Sequence, residues 1–184
     1  MRRVSVVGSS GSGKTTLARR LATTLGVPMV ELDGIFHQPG WVPLPVADFE
    51  ARVTEATAGD GWVVDGNYSA VRPIVWARAD TVVFLDLPRW RVMSRLVPRS
   101  IRRSLTGEEL WNGNRESWTS LLRWRQEDNI VVWSWKRHQL QRNRFEAALE
   151  DPALQHLRFV RLTSAAEVDD WLEALGAGGG TAGG

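Results

Sequence analysis

A chain of 184 residues with a net charge of +2 and no cysteine has room for one well-buried core, and it has no disulfide or thiolate chemistry. No stretch approaches the roughly 20 apolar residues of a membrane span, and Met1-Arg2-Arg3 leads into only a short apolar run, too brief for a secretory leader. These features predict a cytoplasmic protein without a membrane partner. Charge is uneven: residues 89–144 hold thirteen Lys/Arg against five Asp/Glu, together with six of the ten tryptophans.

The first element is an apolar strand, Val4–Val7, followed by Gly8-Ser9-Ser10-Gly11-Ser12-Gly13-Lys14-Thr15-Thr16. This run satisfies G-x-x-x-x-G-K-[ST] in a strand-to-helix setting. Glycines let successive backbone N–H groups approach phosphate oxygens, and the following helix adds its positive end. Gly8, Ser9, Gly11, Ser12, Gly13, Lys14, Thr15 and Thr16 are therefore the expected cradle for ATP. Lys14 is expected on the outer phosphates, and the Thr15 hydroxyl on Mg²⁺. The chain has only two lysines, Lys14 and Lys136, which makes a chance match at this slot less plausible.

Leu17, Ala18, Leu21, Ala22 and Leu25 recur at helical spacing until Gly26. A second strand is expected at Met29–Leu32, ending on Asp33-Gly34. A Pro-rich loop and a helix over Val46–Ala58 follow, then a third strand, Trp62–Val64, ending on Asp65-Gly66. Thr81–Leu87 reads as a fourth strand, closed by Asp86-Leu87-Pro88. Residues 89–105 carry a helical apolar stripe in which Pro98 predicts a kink. Thr106–Ser117 reads as a mobile loop, Leu121–Ala148 as mostly helix, Arg158–Leu162 as a last strand and Ala166–Leu175 as a last helix. Alternating strands and helices predict an α/β fold with a five-stranded parallel sheet covered on both faces. The expected organisation is one domain over 1–175 with a short lid near 104–120, and a flexible glycine-rich tail over 176–184. Ligands of such a sheet gather at the carboxyl ends of its strands, so Asp33 and Asp65 are candidate site residues, Asp65 beside the metal and Asp86 less so.

The phrases GSGKTTLARRLA, ELDGIFHQPGW, WVVDGNYSAVR and ADTVVFLDLPRWRVMSRLVPRSIRR resemble, in order and spacing, the adenylate-kinase-like P-loop proteins. Their wording is similar to the bacterial topology modulation protein branch of that group. The resemblance implies a nucleoside-monophosphate-kinase-like fold and phosphoryl transfer from ATP–Mg²⁺ to a small acceptor, most simply a nucleotide. By position it implies Asp65 near the metal, Asp33 near the acceptor, and Arg72 as a contact to the acceptor. It also implies phosphate-binding arginines: Arg95, Arg99 and Arg102 or Arg103 before the lid, and Arg115 and Arg123 from it. Independently, Arg95, Arg99 and Arg102/Arg103 share one face at helical spacing, and cations stabilise a phosphoryl group in transfer.

Two alternatives stand beside the kinase. The arginines interleaved with tryptophans could grip a nucleic acid, making the chain a nucleotide-dependent DNA-associated regulator, although no recognised nucleic-acid motif is present. A bare ATPase would need neither lid nor acceptor pocket. His37, His138 and His156 are too scattered to predict a metal site.

Overall fold

The computed structural model describes residues 1–88, 90–92, 94, 98, 102, 106, 108–114 and 130–179, with residues 130–138, 178 and 179 described by their backbone alone. Its elements in chain order are β1 (Arg3–Gly8), α1 (Lys14–Leu25), β2 (Met29–Glu31), α2 (Leu32–Phe36), β3 (His37–Gln38), β4 (Val42–Pro43), α3 (Val46–Ala56), β5 (Trp62–Asp65), α4 (Arg72–Arg78) and β6 (Thr81–Leu85). After a short 3-10 turn at Trp111–Gly113 come α5 (Ile130–Glu150), β7 (Arg158–Leu162) and α6 (Ala165–Gly179).

The main sheet has the order β2-β5-β1-β6-β7, and every paired neighbour in it is parallel. Its three central strands, β1, β5 and β6, are buried on both faces, which is why they read as near-continuous apolar runs. Val4, Val6, Val63 and Val83 pack with Leu17, Ala18 and Leu21 of α1 and Leu172 of α6. Val7, Val64, Val82 and Phe84 face the other way, against Phe49 and Val53 of α3, Val75 and Trp76 of α4 and Phe145 of α5. Each large side chain so buried contributes about 2 kcal/mol of transfer free energy.

The five strands and the two covered faces match the expected fold, with differences that follow from local chemistry. The second strand stops at Glu31, and Asp33 lies in the first turn of α2. The Pro-rich loop contains a two-residue antiparallel hairpin, His37–Gln38 against Val42–Pro43. Helix α4 has no strong periodic signal, and Pro73 sits in its first turn, where its missing N–H costs no helical hydrogen bond. The last helix is longer than the expected Ala166–Leu175, since α6 runs over Ala165–Gly179. The segment expected to be a mobile loop is, over Leu110–Asn114, a hydrogen-bonded turn docked on residues 31–41. Among the described residues, no helix is long and apolar enough to cross a membrane.

Asp86, at the carboxyl end of β6, is the anchor of α5. Its carboxylate is buried, and it accepts hydrogen bonds from Arg142 Nε at 2.7 Å and Arg161 Nε at 2.9 Å, with Arg161 Nη2 closing the pair. One carboxylate thus ties α5 and β7 to the sheet. Replacing it would strand two guanidinium groups that can still reach water, so the cost lies toward the low end for a broken buried pair. Asp86→Ala is expected to lose about 2–3 kcal/mol of stability, read as a lower urea midpoint with an unchanged slope.

Candidate active site

The phosphate loop leaves β1 at Gly8, whose φ of +152° and close approach to the next strand exclude a side chain: a Cβ there would lie 2.8 Å from the Leu85 carbonyl oxygen. It closes on Gly13, left-handed at φ +94°, which caps α1 without any side-chain hydrogen bond. Lys14 Nζ donates to the Ser9 carbonyl at 2.9 Å, holding the cation across the loop. The Ser12 hydroxyl is buried and has no partner among the described residues. A loop that presents a lysine, a helix N-terminus and an unmatched hydroxyl is built for polyanionic oxygens.

Asp65 ends β5 opposite both Val6 and Glu31, at the carboxyl edge of the sheet. Thr15 Oγ1 donates to Asp65 Oδ2 at 2.6 Å, so the two residues expected at the metal are already in contact. Asp65 is only 8% exposed, and its Oδ1 is buried without a partner among the described residues. Burial pushes its carboxyl above the ordinary aspartate range. Lys14 and the Thr15 hydrogen bond oppose that rise, and the charges of Asp33 and Glu31 add to it. A buried carboxylate with one free oxygen, beside a hydroxyl and a lysine, fits a hydrated divalent cation held mainly through substrate phosphates. The oxygen-only donor set suits Mg²⁺ better than a softer metal.

On the other side of Asp65 lies a second constellation. Tyr68, beyond the Gly66-Asn67 turn, donates its hydroxyl to Asp33 Oδ1 at 2.5 Å. His37 Nε2 is 3.5 Å from the same hydroxyl, and His37 Nδ1 is buried without a partner among the described residues. Phe36 packs on Tyr68 with ring centroids 4.8 Å apart. Asn67 receives Arg72 Nε at 2.8 Å and donates to Gln141 at 2.6 Å, linking this loop to α5. Arg72 lies 5.6 Å above the Trp76 ring, and one terminal nitrogen is buried without a partner among the described residues. Burial, and secondarily Arg144, lower its pKa from the ordinary arginine value, though a guanidinium remains charged. Beneath it is a cavity of about 10 Å³, room for roughly one water, lined by Ser5, Leu32, Asn67, Tyr68, Arg72 and Trp76.

A larger cavity of about 210 Å³ opens on the far side of the phosphate loop. Ser12, Thr16 and Arg20 line one wall, and Leu87, Ala165 and Val168 the other.

The comparisons with known proteins agree with this architecture. A family model described as ATPase family associated with various cellular activities (AAA) matches residues 4–86, the phosphate loop through the end of β6. A protein of Pyrococcus furiosus, provisionally named an adenylate kinase, is 29% identical over 114 residues, covering 58% of this chain and 61% of its own length. The chain therefore spans less than two thirds of that relative. The solved shikimate kinase of Acinetobacter baumannii, in complex with shikimate, superposes with a TM-score of 0.52 at 19% identity over 95% of this chain and 90% of its own. The shikimate kinase of Bacteroides thetaiotaomicron gives 0.50 at 15% identity, covering 95% and 96%. The fold is that of the P-loop kinases.

Of the residues singled out from sequence, the structure brings Lys14, Thr15 and Asp65 together and sets Asp33 beside them through Tyr68. Asp86 serves the ion-pair network instead. Arg95, Arg99, Arg103, Arg115 and Arg123 lie outside the described residues. Arg102 is described, and it pairs with Glu108 at 2.9 Å on the surface. Tyr68 and Asn114 carry no local signal, because their partners are 35 to 76 residues away, and Trp111 stands out in the sequence only as one of the tryptophans of the basic stretch.

The raised pKa of Asp65 has a thermodynamic consequence. The native state binds this proton more tightly than the unfolded chain, so the penalty is absent below the ordinary aspartate pKa and grows as pH rises through the raised native value. Without Mg²⁺, Asp65→Asn is expected to melt above the parent protein at pH 7, with the gap closing below about pH 4. The same variant is expected to bind ATP–Mg²⁺ at least about tenfold more weakly in calorimetry.

Proposed function

We propose that the chain is an ATP–Mg²⁺-dependent phosphotransferase that moves the γ-phosphoryl group to a small acceptor, in the manner of the adenylate-kinase-like enzymes. The observation that carries this reading is the Thr15–Asp65 contact at 2.6 Å, with Asp65 Oδ1 unpartnered among the described residues and the charges of Lys14 and Asp33 both felt by its carboxylate. The phosphate loop would hold the triphosphate, and the 210 Å³ cavity beside Thr16 offers room for its ribose and base. Thr15 and Asp65 would hold Mg²⁺, which when bound neutralises phosphate charge. The wording of the motifs supports placement in the topology modulation branch.

A bare ATPase would have no use for the Asp33–Tyr68 pair. Asp33 stands beyond the metal side, its carboxylate oriented by a tyrosine hydroxyl, which suits a group that meets the second substrate. A hydroxyl acceptor is favoured over a phosphate acceptor by the electrostatics of this edge. Glu31, Asp33 and Asp65 sit close enough that the first two raise the pKa of the third. A dianionic acceptor would add to that crowding, and a neutral hydroxyl would not. In the step so assigned, the acceptor oxygen attacks the γ-phosphorus, the bond to the β-bridging oxygen breaks, and ADP leaves. The hydroxyl proton passes to Asp33.

Of the described tryptophans of the basic stretch, Trp111 is used inside the chain, donating to Glu31 at 2.9 Å, whereas Trp90 is exposed with the Arg91 guanidinium beside its ring, the arrangement a nucleic-acid-associated regulator would need.

The test is ADP formation from ATP–Mg²⁺ across a panel of nucleosides, nucleoside monophosphates and small polyols. One acceptor class is expected to raise the rate, and Lys14→Ala to abolish it. Asp33→Asn is expected to lower acceptor-stimulated turnover by about 10²–10⁴ with little change in the KM for ATP. A slow ADP release that no acceptor changes would overturn the phosphotransferase reading.

A further inference from the structure

Beneath the loop that follows Asp65 lies a small polar cluster whose donors and acceptors do not balance. Arg72, at the start of α4, donates from Nε to Asn67 Oδ1 at 2.8 Å, and its guanidinium carbon sits 5.6 Å from the centre of the Trp76 ring. Its terminal nitrogen Nη2 is buried with no partner among the described residues. On β1, Ser5 is 1% exposed, and its Oγ accepts the Trp76 indole N–H at 3.2 Å. The Ser5 hydroxyl proton is left without an acceptor among the described residues. Arg72, Ser5 and Trp76 line one cavity of about 10 Å³, with apolar walls from Leu32, Val71 and Val75.

The charge of the cluster is one-sided. Burial and the cation of Arg144 act on Arg72, and no carboxylate among the described residues offsets them. Charge withdrawn from water is ordinarily paired, and a guanidinium does not escape by losing its proton. The nearby amide cannot help, because Asn67 Oδ1 is taken by Arg72 and Nδ2 donates to Gln141 at 2.6 Å. One water would fit the volume, but buried waters are held by about three hydrogen bonds. Here the cavity offers a water two donors, Arg72 Nη2 and the Ser5 hydroxyl, while the side-chain oxygens around it are already engaged. An anion accepts from both donors and supplies the missing charge. The room is that of a single atom, which excludes phosphate and sulfate.

We propose that this cavity is a binding site for one halide ion, such as chloride, held by Arg72 Nη2 and the Ser5 hydroxyl. The site is apart from the phosphate loop and does not depend on the phosphotransferase reading. Holding Arg72 also holds Asn67, and through it Gln141 of α5, at the loop that carries Tyr68. A ligand taken only by the folded chain stabilises it by mass action, so the halide adds to the order of that loop.

The test begins with the unmodified protein and needs no turnover. Crystals grown in sodium bromide are expected to show an anomalous peak within hydrogen-bond reach of Arg72 Nη2 and Ser5 Oγ. In solution without nucleotide or Mg²⁺, sodium chloride and sodium bromide are expected to raise the melting temperature by about 2–4 °C over sodium gluconate at equal ionic strength. Exclusion of salt from the surface would instead rank sulfate above the halides, so the order of the salts separates the two effects. Ser5→Ala is expected to require about tenfold more halide for the same rise, and Arg72→Met to abolish it. Bromide at the phosphate loop but not in the cavity, a water there without anomalous signal, or no advantage of halide over gluconate would each overturn the site. So would a halide effect that survives in Arg72→Met. If bromide occupies the cavity and no acceptor is ever phosphorylated, the phosphotransferase reading falls and the halide site stands.

Discussion

The contact between Thr15 and Asp65 joins the first helix to the strand beside it, across fifty residues of sequence. A buried carboxylate gives up hydration to make it, and retains one oxygen with no partner among the described residues. The arrangement is stabilised only in part by Lys14, and it is made less comfortable by Glu31 and Asp33. Such a residue is costly to the folded chain at neutral pH, which is the ordinary condition of a group kept for a ligand's charge. The rest of the molecule follows from the need to hold it. The parallel strands bring Val6, Glu31 and Asp65 to one level, and the glycine loop bends back over that edge to deliver Lys14 and Thr15.

Three aspartates close three strands in the sequence, and position alone does not separate their roles. Asp65 reaches the phosphate loop. Asp86 is drawn into an ion pair because Arg142 and Arg161 come from a helix and a strand that pack on either side of it. Asp33 is not at a strand end at all, since the chain turns into α2 one residue after Glu31. The difference among them is made by residues 35 to 75 positions away, and a strand-end carboxylate carries no local mark of which partner will arrive.

The parts of the fold legible in sequence were those with local causes. Continuous apolar runs gave the five strands, 3.6-residue spacing gave α1 and α3, and the glycine-lysine pattern located the phosphate loop because its chemistry depends on contiguous residues. What stayed hidden depended on contacts between distant segments. Residues Leu110–Asn114 are polar and glycine-containing, as a mobile loop would be, yet Asn112 and Asn114 spend their side-chain hydrogen bonds on the backbone of residues 34–41. Composition cannot tell an asparagine that solvates a loop from one that fastens it to another segment. The early end assigned to the last helix has a simpler origin: glycine disfavours helix by only about 1 kcal/mol per residue, and α6 tolerates it to Gly179.

That fastening changes how the two sides of the site are related. Glu31 receives the Trp111 indole N–H, and it lies level with Asp65 across β2 and β5. The turn at Leu110–Asn114 thus grips residues 31–41 at both ends, at Glu31 and at Trp41. A displacement of Leu110–Asn114 would have to break buried hydrogen bonds to the Gln38 carbonyl and the Trp41 N–H, or carry the hairpin with it. Since unsatisfied buried groups cost about 1–3 kcal/mol each, the cheaper path is to move together. The hairpin that presents Trp41, the helix that carries Asp33 and the turn beyond β6 therefore behave as one wall of the site, while the phosphate loop and Asp65, fixed by the parallel sheet, form the other.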